Sequence, residues 1–268
     1  MRRIIDAVMS EKDDYIFDFL EIENFNSPHS RLRHWFNHTE KNFKNLADLD
    51  SDIFEFGVFR GKSIIAMGFL LKKLGSLKTV YGFDSFSGLP QPHKNDNFDA
   101  FDSHKFLFDD DHVDKHKFLL HMKSYQNNID SLQTVFPNNI SKSTDFSRTN
   151  ALFLQNRLEQ FSLNNIKLVV GNFADTIPDF FKTYKGKIFS ANMDCDLYES
   201  YKIALPFVYD ALIPGGFIHL DEHYSLKFPG ARIACNEFFK SRNISPLLFP
   251  HSENEFERWG IVKPNTKK

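Results

Sequence analysis

Short unbroken apolar runs alternate along the chain with longer stretches in which apolar residues return every three or four positions. The runs "DIFEFG" (52–57), "TVYGFD" (79–84), "IKLVVGN" (166–172), "KIFSANMD" (187–194) and "GFIHLDE" (216–222) predict buried strands. The stretches "KSIIAMGFLLKKLG" (62–75), "TNALFLQNRLEQF" (149–161), "TIPDFFKTY" (176–184), "SYKIALPFVYDALIPG" (200–215) and "ARIACNEFFKSR" (231–242) predict helices. Upstream, Leu32, Trp35, Phe36, Phe43 and Leu46 lie at helical spacing within 28–49, behind a cap and first turn at Ser27-Pro28. Downstream, "SPLLFPH" and "ERWGIVKP" read as a closing pair of strands.

Strands that alternate with helices are joined by crossovers and run parallel. Continuous apolar strands have both faces covered. The expected fold is α/β: a Rossmann-like, mostly parallel sheet with helices on both faces and a C-terminal antiparallel strand pair. It forms one domain over 1–268, with an N-terminal helical extension at 1–50. Residues 92–148 break the rhythm. No glycine occurs between Gly88 and Gly171, and seven Asp fall between Asp96 and Asp114. The segment is too long for an ordinary connection and predicts an insertion with its own helices, or a lid. His112 and His116 share a helical face there, but without a Cys partner or an HExxH pattern a solvated surface is the better reading.

In open parallel sheets ligands sit outside the carboxyl ends of the strands, where strand order reverses. Two strands end there in acids: Asp194, Asp196 and Glu199 after one, Asp221 and Glu222 after the other. The turn "EFGVFRGKS" follows the first strand and opens a helix, with Gly57 and Gly61 separated by three residues. That is neither the GxGxxG of a pyrophosphate site nor a P-loop, so the turn admits a ligand close to the backbone without requiring phosphate. Asp84, ending the second strand, is placed to accept hydrogen bonds from both hydroxyls of a ribose. Glu55 adds negative charge beside the turn, which suits a cationic ligand. Together these features favour S-adenosylmethionine, a nucleoside with sulfonium and ammonium groups. An NAD-dependent oxidoreductase is disfavoured by the missing pyrophosphate pattern.

Bulk properties narrow the picture further. The 268 residues are 41% hydrophobic and 25% charged, ordinary for a globular protein, and the 31 Phe predict a large aromatic core. A net charge of −2 with scattered basic residues argues against nucleic-acid or anionic-membrane partners. Two cysteines, Cys195 and Cys235, cannot build a disulfide framework, so a reducing cytoplasm is the expected compartment. The start "MRRIIDAVMSEKDD" is interrupted by Asp6 and does not read as a signal peptide, and the longest apolar run, "IIAMGFLL", is too short to span a bilayer.

Four blocks in order, "FEFGVFRGKSI", "VYGFDSFSGLP", "VVGNFADTIP" and "MDCDLYESYKIALPFVYDALIPGGFIHLDEHY", give the chain a resemblance to class I S-adenosylmethionine-dependent methyltransferases. More narrowly it resembles the macrocin O-methyltransferase family, which methylates sugar hydroxyls on macrolides and related compounds. The resemblance implies that Glu55, Phe56, Gly57 and Gly61 line the methionine end of the cofactor, with Arg60 and Ser63 near its carboxylate. It implies that Asp84 holds the ribose beside Ser85 and Phe86, and that Asn172 and Phe173 flank the adenine. It also implies a magnesium ion on Asp194, Asp221 and Glu222. Cys195 stands where the family usually has Gly, and Glu222 where it usually has Asp. Asp194 is then a candidate base for the acceptor proton, and His223 a second. Glu199 and Ser200 are read as opening the next helix rather than as ligands, and Cys195 has no Cys–His arrangement that would make it a nucleophile. The acceptor is expected to be a small molecule or glycan. Metal-independent methylation of another small molecule and a non-catalytic binding module are the alternatives, and homo-oligomerisation is left open.

Overall fold

A computed structural model describes residues 31–46, 50–96, 146–147, 149–223, 228–250 and 257–265. The cap expected at Ser27-Pro28 and nearly all of the 92–148 insertion, including His112 and His116, lie outside the described residues. Helix α1 (Arg33–Leu46) precedes β1 (Ser51–Phe56), α2 (Lys62–Lys73) and β2 (Val80–Asp84). Then come α3 (Ala151–Gln160), β3 (Ile166–Val170), α4 (Phe173–Thr183), β4 (Lys187–Met193) and α5 (Tyr198–Ala211). The chain closes with β5 (Leu212–Leu220), α6 (Pro229–Arg242), β6 (Leu247–Phe249) and β7 (Arg258–Val262).

The strands form one sheet in the order β3-β2-β1-β4-β5-β7-β6. The first five are mutually parallel, and β7 runs antiparallel to both β5 and β6. Strand order therefore reverses between β1 and β4, the adjacent pair from which the chain winds outward in both directions. Helices α4, α5 and α6 cover one face, where Phe54, Phe56 and Phe83 pack with Phe180 and Phe181. That aromatic layer accounts for part of the phenylalanine excess. Helices α1, α2 and α3 cover the other face around Trp35, Ile64, Ile65 and Phe217.

Element ends shift where local chemistry was overlooked. Helix α4 starts at Phe173 rather than 176, because the Asn172 side chain accepts from the Ala174 N–H and caps it. Helix α5 stops at Ala211, short of the expected 215. Pro214 lacks an N–H and disfavours helical geometry at Ile213, so the chain passes into β5 early, with Leu212 beside Ile188.

Candidate active site

A cavity of about 1040 Å³ opens at the carboxyl ends of β1, β2, β4 and β5, at the point of reversal. Gly57, Asp84, Asn172, Asp194 and Asp221 all reach its wall. Main-chain bonds carry the ladders one residue past the strand ends. Gly57 N donates to Phe83 O (2.9 Å), Asp194 N to Phe56 O (2.9 Å) and Asp221 N to Met193 O (3.0 Å). This register sets Asp194 between Gly57 and Asp221.

The β1–β2 side is shaped by backbone. Gly57 has φ +87°, and a Cβ there would lie 1.7 Å from the Asp194 carbonyl oxygen, so any side chain would collide with β4. The Asp84 carboxylate accepts from Val58 N (2.8 Å), Phe59 N (2.7 Å) and Phe86 N (2.7 Å). An ionised carboxylate offers about four lone-pair sites. Asp84 thus spends most of its capacity holding the glycine turn and the Ser85–Gly88 turn, a role that the sequence reading assigned to ribose alone. Arg60, Ser63, Ser85, Asn172 and Phe173 also line the cavity.

Four expected cofactor contacts stand behind that surface. Phe56 is fully buried and stacks on Phe83 at 4.7 Å between ring centroids, because β1 alternates its side chains across the sheet. Gly61 (φ +85°) caps α2, and a Cβ there would meet Leu154 of α3 at 2.4 Å; its service is helix packing. Phe86 is off the cavity wall and packs on the α2 side. Glu55 is fully buried, bonded to the Ser63 hydroxyl and to Asn192 Nδ2 (3.0 Å). Burial pushes its carboxyl up to about 8, so near neutral pH it holds a proton rather than the negative charge expected of it. Its Oε2 is buried without a hydrogen-bond partner. The Ser63 hydroxyl gives its proton to Glu55 and so keeps its lone pairs for a ligand above the turn.

The β4–β5 side is made of acids. Oxygens of Asp194, Asp221 and Glu222 lie within 4.8 Å of one another. Burial holds Asp194 up at about 6 against the pull of Arg31. For Asp221 burial also opposes ionisation, but Arg31 and the hydrogen bond from His219 outweigh it and keep the group below the usual carboxylate range. Burial drives Glu222 well above its ordinary value, reinforced by Asp221 and Asp194. Tyr201 Oη sits 2.7 Å from Glu222 Oε2 and 2.7 Å from Met193 O. One hydroxyl proton faces two acceptors, and a protonated Glu222 satisfies both contacts. An all-oxygen donor set of this kind fits a hard divalent cation, to which all three groups would bind ionised.

His223 does not belong to the site. It is 1% exposed, wedged between Phe239 (5.4 Å) and Trp259 (5.1 Å), with its pKa lowered well below the ordinary value by burial and by Arg232. As the residue after Glu222 its side chain turns toward α6 and β7, away from the cavity. Cys195 reaches the wall but burial raises its thiol, so no thiolate nucleophile is present. Glu199 falls in the first turn of α5, as expected.

Three participants were missed. Arg31 spans the gap between Asp194 (3.0 Å) and Asp221 (2.9 Å). His219, fully buried, approaches Asp221 Oδ1 at 3.5 Å. Asn192 supports Glu55. The period-two series Ser190, Asn192, Asp194 was the available signal for the last: these side chains share one face of β4, and α1 meets it through Trp35 Nε1 donating to Ser190 Oγ (3.1 Å).

A reversed parallel sheet with an antiparallel end, a glycine turn at the reversal and acids on the neighbouring strands define a class I, Rossmann-like methyltransferase. The chain belongs to the macrocin-O-methyltransferase (TylF) family, whose profile matches residues 29–125 and 141–250. It is an S-adenosylmethionine-dependent O-methyltransferase. Only 126–140 of the expected insertion falls between the matched stretches. Among solved structures, the O-methyltransferase NovP aligns over 98% of this chain and 99% of its own, at 18% identity and TM-score 0.60. The calicheamicin methyltransferase CalS11 aligns over 97% and 96%, at 17% identity and TM-score 0.58. At those identities the likeness is one of fold. The sequence matches no curated protein. Among the described residues no helix is long and apolar enough to cross a membrane.

Proposed function

We propose that this chain is a metal-dependent O-methyltransferase acting on a sugar hydroxyl of a natural product, a nucleotide sugar or a surface glycan. The carrying observation is the convergence of Asp194, Asp221 and Glu222 within 4.8 Å, on the cavity wall beside Gly57. S-adenosylmethionine supplies a methyl group on a sulfonium, and a divalent cation on the three acids would supply Lewis acidity toward the acceptor oxygen. The cavity, at about 1040 Å³, stands at the top of the usual range for a small-molecule site, which supports room for an acceptor beside the donor.

The chain's own residues then act as follows. Gly57 keeps β1 low enough for the donor to lie against backbone. Glu55, by accepting the Ser63 hydroxyl proton, fixes that hydroxyl at the donor end of the cavity. Asp194 adjoins both halves and accepts the acceptor's hydroxyl proton as oxygen bonds to the methyl carbon and the carbon–sulfur bond breaks. Holding the partners in line contributes roughly 7–11 kcal/mol to such reactions. The macrocin named by the family description supports a glycosylated acceptor.

A second reading has one observation behind it. The Arg31 guanidinium between Asp194 and Asp221 supplies fixed positive charge without any metal. Assays with labelled donor against nucleotide sugars and glycosylated products, before and after EDTA, separate the two. The proposal expects activity lost to EDTA and restored by Mg2+; activity indifferent to EDTA sinks it in favour of the Arg31 reading.

A further inference from the structure

We propose that Arg31 is a built-in occupant of the cation site: its guanidinium bridges Asp194 and Asp221 until a divalent ion takes the same two carboxylates, so the bridge and the ion exclude each other. This rests on the metal reading above and concerns what an incoming ion must displace.

The geometry is a fork across a gap. Nη2 lies 3.0 Å from Asp194 Oδ2 and Nη1 lies 2.9 Å from Asp221 Oδ2, one nitrogen to each acid. The other oxygen of Asp221, Oδ1, faces His219. Oδ2 is therefore the atom that Asp221 has to offer, and Arg31 holds it. Any ion ligated by both acids needs the space that the guanidinium fills.

Charge explains why something must fill it. Three acids within 4.8 Å, mostly withdrawn from water, cannot all ionise unless a cation joins them. Arg31 brings one positive charge and a divalent ion brings two. Arginine does not deprotonate in proteins, so raising the pH does not open the bridge, whereas a competing cation can.

The two partners differ in freedom. The acid side chains are 16% and 10% exposed and fixed at strand ends, whereas the Arg31 side chain is 56% exposed and covers them from the solvent side. Arg31 can leave the acids by rotating into water once an ion replaces its two charge-assisted bonds. Its backbone is anchored: Leu32 is 2% exposed, its carbonyl accepts from Trp35 N (3.0 Å) and Phe36 N (3.2 Å), and Trp35 is tied to Ser190. Release is thus a side-chain rotation that leaves α1 docked.

The test is calorimetric titration of Mn2+ into the full chain saturated with S-adenosylhomocysteine, comparing wild type with Arg31→Gln and Arg31→Lys. The proposal expects Arg31→Gln to bind Mn2+ about tenfold more tightly, since loss of the two partly screened charge-assisted bonds no longer has to be recovered by the ion. Arg31→Lys should fall between, because an ammonium cannot fork to both acids. Saturating Mn2+ should also raise the Tm of Arg31→Gln more than that of wild type. Equal or weaker Mn2+ binding by a folded Arg31→Gln, with wild type binding normally, overturns the bridge and leaves the metal reading intact. If none of the three proteins binds Mn2+, the metal reading fails and the bridge as an ion competitor falls with it.

Discussion

On the β1–β2 side the cavity is shaped by main chain, while on the β4–β5 side it is shaped by side chains. Gly57 contributes by having no Cβ, and Asp84 contributes by gathering three backbone N–H groups of two turns. Asp194, Asp221 and Glu222 instead act through their own oxygens, set side by side because each follows a strand whose ladder runs on past its end. A backbone-made surface tolerates no substitution that fills it, and it binds without specifying chemistry. A side-chain-made cluster folds with conservative substitutions but loses its chemistry at once. Under the proposed function, binding and reaction are thereby divided between the two halves of one cavity.

The division can be broken most sharply at Gly57. Gly57→Ala puts a methyl group onto the Asp194 carbonyl at a φ of +87°, itself unfavourable by roughly 1–2 kcal/mol for an L-residue. Affinity for S-adenosylhomocysteine should fall about a hundredfold or more by calorimetry, with a lowered Tm. Near-normal affinity would mean that the turn is not the floor of the cofactor site. Asp194→Asn probes the other half. It should lower kcat by roughly 10²–10⁴-fold, the usual worth of a positioned acid–base group, while cofactor affinity stays nearly unchanged. A parallel loss of cofactor binding would show that the halves do not act separately.

Glu55 gives the smallest effect. Its folded-state pKa of about 8 lies above the ordinary 4.5, so between those values the folded protein keeps a proton that the unfolded chain releases. Stability contributed by that group declines as pH rises from about 4.5 through 8, and is level outside the window. In ligand-free protein, the fall in Tm between pH 5.5 and 8 should shrink by a few degrees in Glu55→Gln. An undiminished fall would assign the pH dependence to other groups.

Much of this was legible in the chain. Each expected strand and helix that falls within the described residues is present, because period-two and period-3.6 burial leave separate marks. The three acids were found from two runs that end abruptly in carboxylates. His223 misled because it follows Glu222 in "LDEHY": the turn after β5 brings Asp221 and Glu222 to the cavity but sends His223 between Phe239 and Trp259. Phe56 and Phe86 misled for the same reason, lying beside residues that do reach the wall. Arg31 left no signal, since it stands 163 residues from Asp194 and an arginine ahead of a helix is ordinary.

By itself the sequence determined the element order, the parallel sheet, the glycine turn and the acids that end β4 and β5, since these follow from local periodicity and from residues with few conformational alternatives. Tertiary structure alone decided which side chains turn into the cavity, that Asp84 serves the backbone, that burial leaves Glu55 protonated, and that a guanidinium from the far end of the chain lies across the acids. Those outcomes depend on desolvation and on contacts between distant segments, and neither is written in any one stretch of residues.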